Sequence, residues 1–305
     1  MPKTALIFPG QGSQSVGMLA DLPDAFETIK NHFEQASAIL DKDLWTLVTD
    51  GPEEELNQTQ WTQPALLTAS VATFDVIKSR LPSDTIMAGH SLGEYSALVC
   101  AGILAFEDAV SLVHKRGQYM QAAVPAGSGA MAAVIGMEAV ALDALCQQVD
   151  EVVSPANYNS SAQIVIAGSK AGVEAASALA AEAGAKVIPL AVSVPSHCAL
   201  MKPAAEQLAQ DLQAVTFNSS ETPVVHNVDV ESHKIADDIR QALVAQLSSP
   251  VRWADTMQYF KNQGITEVGE CGPGKVLSGL YKRFDRSTTV VPLANQKGIG
   301  KFIDD

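Results

Sequence analysis

Apolar residues in this chain fall into two rhythms: short unbroken runs, and stretches spaced three and four apart. The runs read as buried strands, and the spaced stretches as helices packed by one face. Strands are predicted at residues 3–8, 85–88, 224–227, 265–269 and 288–293. Helices are predicted at residues 24–41, 62–81, 106–123, 199–213, 235–247, 253–263 and 274–284. One more opens after Gly93 and carries Tyr95, Leu98, Val99 and Ile103. Continuous apolar strands that alternate with helices imply a mostly parallel sheet covered on both faces.

The rhythm changes after the small-residue stretch Ala122–Gly129. Strands are predicted at 130–136, 152–158, 163–168 and 186–190, and helices at 138–149 and 171–183. The polar stretch Asn159-Ser160-Ser161 is expected to be a loop. The order β-α-β-β-α-β is that of a split-βαβ, ferredoxin-like unit. We therefore expect a small inserted domain at 126–193, within a large α/β domain built from 1–125 and 194–305.

One junction carries a chemical signature. The run Thr85–Ala88 leads into Gly89-His90-Ser91-Leu92-Gly93 and then a helical pattern. Strand, Gly-x-Ser-x-Gly, helix is the setting of a nucleophile elbow, which makes the large domain α/β-hydrolase-like. The turn lifts the Ser91 hydroxyl to a helix N-terminus, where free N–H groups favour negative charge. The plainer alternative is a helix-capping serine, with Glu94 three residues on completing a capping box. A second glycine-rich loop, Pro9–Gln14, follows the first strand; it has no Gly-Lys-Ser/Thr ending, so it is not a P-loop. It either presents free backbone N–H groups or is an ordinary strand-to-helix turn.

Composition narrows the function. The chain has 305 residues, 47% of them apolar. No run of about 18 uncharged apolar residues suggests a membrane span. The first residues show no signal-peptide layout. The four cysteines, Cys100, Cys146, Cys198 and Cys271, lie far apart, so neither a metal site nor a disulfide framework is expected, and a cytoplasmic setting fits. Net charge is −14. Nucleic acid is a poor partner for such a chain, and an anionic substrate would need a local basic patch. Lys275, Lys282, Arg283 and Arg286 are spaced to share one helical stripe and could form it, or could be a solvated face.

A serine nucleophile needs a base. Of six histidines, His90 adjoins Ser91 across a sharp turn and should point elsewhere, while His32 and His233 lie on polar stretches and look solvated. His197 follows Val194-Pro195-Ser196 at a helix start, where a rigid loop can aim it. No carboxylate announces itself as a third member; a carbonyl oxygen can fix the imidazole instead.

Pro9–Gln14, Gly89–Glu94, Val194–His197 and Gly272-Pro273-Gly274-Lys275 occur together in that order. The set resembles the malonyl-CoA:acyl carrier protein transacylases of bacterial fatty-acid synthesis over nearly the whole chain. The resemblance implies that Ser91 is acylated and that His197 is its general base and acid. It implies an oxyanion hole from the backbone N–H groups of Gln11 and Leu92, and it assigns the free carboxylate of malonyl to Arg116. It also assigns orientation of the histidine to the main-chain carbonyl of Gln246. Implied too are malonyl-CoA and CoA as substrate and product, an acyl carrier protein as partner, no resident cofactor or metal, and a monomer. The resemblance also implies that the residue before the histidine, here the small Ser196, tunes the α-substituent, so malonyl is the expected donor and methylmalonyl stays open. A serine hydrolase such as a thioesterase, and a non-catalytic docking subunit, are the competing readings.

Overall fold

The computed structural model describes residues 3–20, 22, 26–192 and 194–304. The start of the predicted helix at 24–41 and Ser193, the last residue of the expected inserted domain, fall outside them. The chain opens with β1 (Thr4–Phe8), followed by α1 (Phe26–Leu40) and two short helices, α2 (Leu44–Thr49) and α3 (Glu53–Leu56). Then come α4 (Thr59–Ile77), β2 (Ile86–Gly89), α5 (Gly93–Cys100) and α6 (Phe106–Ala123). A second set follows: β3 (Gly129–Ile135), α7 (Ala139–Cys146), β4 (Val153–Ser160), β5 (Gln163–Ser169), α8 (Lys170–Glu182) and β6 (Lys186–Pro189). The chain returns through α9 (Lys202–Ala214), β7 (Val224–Val225), α10 (Ala236–Ser248) and α11 (Trp253–Asn262). It ends with β8 (Glu267–Glu270), α12 (Val276–Phe284), β9 (Thr289–Pro292) and α13 (Gln296–Asp304).

Strands β7-β2-β1-β8-β9 form a sheet whose pairings are all parallel. Every residue of β1 is buried, which is why its sequence is apolar without alternation. One face packs Leu6 and Phe8 against α1, α4, α5, α6, α9 and α10; the other packs Ala5 and Ile7 against Trp253, Phe260, Leu280 and Tyr281. Strands β4-β5-β3-β6 form a separate antiparallel sheet in the split-βαβ order, with α7 and α8 on one face. Among the described residues, the second sheet is tied to the rest by main-chain bonds at Val251. Tyr158 N–H donates to the Val251 carbonyl, and Val251 N–H donates to that of Ala156, each at 2.9 Å.

Two sequence expectations change here. Asn159 and Ser160 are not loop but the end of β4, where Ser160 still pairs with Gln163 through an irregular register. β7 stops at Val225, because the next residues, His226 and Asn227, turn inward as buried polar groups.

Candidate active site

The C-terminal ends of β1 and β2 meet at the elbow. Ser91 has φ +52°, the left-handed conformation that a sharp strand-to-helix turn imposes. The flanking glycines are sterically required. A Cβ on Gly89 would lie 1.8 Å from the Gly93 carbonyl carbon, and one on Gly93 would lie 2.1 Å from the Phe8 oxygen. No capping box forms: Leu92 is the N-cap of α5 and its side chain caps nothing. Glu94 instead turns inward and is fully buried.

The Ser91 hydroxyl oxygen lies 2.8 Å from His197 Nε2. His197 Nδ1 donates to the Gln246 carbonyl oxygen at 2.7 Å, so Nε2 is left as the acceptor facing the serine. The His197 backbone has φ +64° and its N–H donates to the Leu247 carbonyl, which fixes the ring from two sides. Burial, and next the Arg116 charge, lower the His197 pKa to about 3. The ring therefore rests neutral and able to take a proton. His90 is turned away as expected: its Nε2 sits 2.9 Å from Asn159 Oδ1 and its ring lies against Trp253.

Arg116 descends from α6 into this centre and is 1% exposed. It donates to Gln63 Oε1 at 2.8 Å, to Gln246 Oε1 at 2.9 Å and to the Ser91 hydroxyl at 3.3 Å. Its guanidinium also stands 5.4 Å from the centre of the Tyr95 ring. The Ser91 N–H is occupied by Asn227 Oδ1 at 2.8 Å. Among the described residues the N–H groups of Gln11 and Leu92 donate to no protein acceptor. Both residues line a cavity of about 250 Å³ that also holds Ser91, His197 and Arg116. A second hollow of about 360 Å³ adjoins it through Gln11, His90 and Asn157 and runs between β5 and α12. Such a centre can activate a hydroxyl, receive a developing oxyanion and hold an anionic tail beside it.

The basic residues do not form one helical stripe. All four are exposed, but Lys275 precedes α12 and Arg286 follows its end. Asp285 terminates the helix by accepting from the Ser287 N–H and hydroxyl at 2.9 and 2.6 Å. Only Lys282 and Arg283 share the helix. Sequence reading also missed Gln63, His226 and Asn227, which brace the centre from positions remote in the chain and carry no local signal, and it offered Glu94 only as a capping residue. His32 and His233, expected to be solvated, are partly buried beside Asp75 and Asp229. Among the described residues, no cluster of His, Cys, Asp and Glu could hold a metal ion, and no helix is long and apolar enough to cross a membrane.

The acyl transferase domain family model matches residues 5–278. A malonyl CoA-acyl carrier protein transacylase of Haemophilus influenzae is 57% identical over 288 residues, covering 93% of this chain and 92% of its own. The solved malonyl CoA-acyl carrier protein transacylase of Coxiella burnetii is 50% identical, with a TM-score of 0.97 over 100% of this chain and 98% of that one. A malonyl-transacylase solved in complex with a type II PKS acyl-carrier protein is also 50% identical, with a TM-score of 0.96 over 99% of each chain. The chain belongs to the acyl transferase family and, within it, to the malonyl CoA-acyl carrier protein transacylases.

Proposed function

We propose that this enzyme moves a malonyl group from malonyl-CoA to the phosphopantetheine thiol of an acyl carrier protein, supplying fatty-acid synthesis through a malonyl ester on Ser91. The observation that carries this reading is one hydroxyl within reach of both a neutral imidazole and a buried guanidinium. His197 Nε2 takes the Ser91 proton as the oxygen attacks the thioester carbonyl. The N–H groups of Gln11 and Leu92 receive the oxyanion. The carbon–sulfur bond breaks, and the CoA sulfur leaves with the proton from the imidazolium. The carrier thiol then attacks the ester, giving its proton to His197, and as the ester carbon–oxygen bond breaks the Ser91 oxygen takes that proton from the imidazolium. The Gln246 carbonyl keeps Nδ1 protonated throughout. Arg116 pairs with the malonyl carboxylate, and an acetyl group, lacking it, leaves that cation unmatched.

The reaction so written needs no resident cofactor. Residues 126–193 act as a small domain against the large one, 1–125 and 194–305. Lys275, Lys282, Arg283 and Arg286 serve the anionic partners at the cleft, whose wall includes Leu277 and Leu280 of α12. The enzyme works as a monomer in the cytoplasm. The test is incubation with labelled malonyl-CoA followed by digestion. Label on the Ser91 peptide, discharged by a carrier protein and not by water, is expected; label elsewhere, or hydrolysis alone, rejects the reading.

A further inference from the structure

Arg116 is fully buried, yet among the described residues it makes no ion pair; its partners are two amide oxygens and a hydroxyl. A buried cation without a nearby anion is costly by several kcal/mol. Glu94 supplies that anion at the remove of a single amide. The carboxylate is fully buried and accepts from His226 Nδ1 at 2.8 Å, the Asn227 N–H at 2.9 Å and Gln246 Nε2 at 3.0 Å. Gln246 Oε1 then accepts from Arg116.

Direction matters in this chain of bonds. A carboxylate only accepts, so the NH2 of Gln246 must face Glu94 and its oxygen must face Arg116. The same NH2 also donates to the Ser91 carbonyl at 3.0 Å. A reversed amide would set donor against donor at the guanidinium. Glu94 thereby holds Arg116 without neutralising it by contact, and leaves it free for an incoming carboxylate.

We propose that Glu94 is a specificity-determining positioning residue: through the side chain of Gln246 it keeps Arg116 aimed at the acid tail of the acyl group, and so sets the preference for malonyl over acetyl. For this to hold, Arg116 must be the partner of the malonyl carboxylate, as proposed above. The opposite sign would follow if Glu94 acted only as a competing charge. Its loss would then leave Arg116 short of an anion and tighten malonyl binding.

Glu94→Met nearly keeps the volume and takes away the oxygen that accepts from Gln246 Nε2. Rates of Ser91 acylation are measured with malonyl-CoA and acetyl-CoA over a range of concentrations. E94M is expected to lower the malonyl-to-acetyl ratio of kcat/KM by about tenfold or more, mainly through the KM for malonyl-CoA. A parallel fall with both donors, an unchanged ratio or a raised ratio overturns the proposal. If E94M does not fold, Gln246→Met removes the same amide while keeping the main-chain carbonyl, and its ratio must fall likewise. Where both fold, the double variant should fall no further than Gln246→Met alone, because the two act in series. Arg116→Met separates the two levels of failure. If it keeps the malonyl preference, the role of Arg116 falls and the role of Glu94 with it. If it loses the preference while E94M keeps it, only the role of Glu94 falls.

Discussion

The two walls of the cleft are built on different terms. On the side of the parallel sheet, polar side chains from α4, α5, α6, α10 and the turns after β2 and β7 hold one another. On the side of the antiparallel sheet, the inward-facing residues are small or apolar, Met131, Ala133 and Val165, interleaved with the uncharged polar Asn157, Asn159 and Gln163. The contrast separates two tasks. Bond making needs groups fixed from several directions, with strain tolerated at Ser91 and His197 because their surroundings over-determine them. Receiving a long flexible thioester needs only an uncharged wall.

Four measurements would break or sharpen this contrast. Ser91→Ala should lower transfer to carrier protein by on the order of 10⁴-fold or more, because no acyl-enzyme can form. A smaller loss would mean that the fixed wall does not carry the bond making. Gly93→Ala forces a methyl to within 2.1 Å of the Phe8 carbonyl oxygen and should cost about 3 kcal/mol or more, or prevent folding. Gly136, beside the second sheet, has open space around its missing Cβ and only a positive φ of +86°, so Gly136→Ala should cost about 1–2 kcal/mol. Equal shifts in Tm would erase the difference between the walls.

The third measurement is a stability profile against pH. Unfolded His197 takes a proton below about 6.5. In the folded chain its pKa is lowered to about 3, so between those values the unfolded state binds more protons. Stability should therefore fall as pH drops through that window. His197→Asn should show a smaller loss of Tm between pH 7 and pH 5 than the parent; an equal loss would mean that the imidazole is not held neutral. The smallest effect is expected at the rim. Reversing Lys282 and Arg283 to Glu should raise the KM for the carrier a few-fold and its salt sensitivity, while Ser91 acylation by malonyl-CoA stays mostly intact. Unchanged carrier kinetics would free α12 of any docking role.

The parts of this site that the sequence announces are those whose chemistry is local. Gly89 and Gly93 flank Ser91 in a turn that only such spacing permits, and the apolar run before it can only be a strand. Arg116 looks like any arginine on an amphipathic helix, and its burial depends on Gln63 and Gln246, which lie 53 and 130 residues away. Asn227 is harder still. It reaches the Ser91 N–H across 136 residues, and the inward turn that lets it do so is what shortened β7. The four basic residues do not share one helix because Lys275 is the N-cap of α12 and Asp285, accepting from Ser287, ends it two residues before Arg286. Parallel strands and the split-βαβ order were legible because burial on both faces, or on one, writes itself directly into apolar spacing.

The pair of main-chain bonds joining β4 to Val251 has a mechanical corollary. Val251 lies just beyond the carbonyls of Gln246 and Leu247 that grip His197. A swing of the second sheet away from the first would therefore break these two bonds or pull on the segment that aims the base. An acyl group entering this enzyme passes a wall that is laced, through Val251, to the segment holding its base.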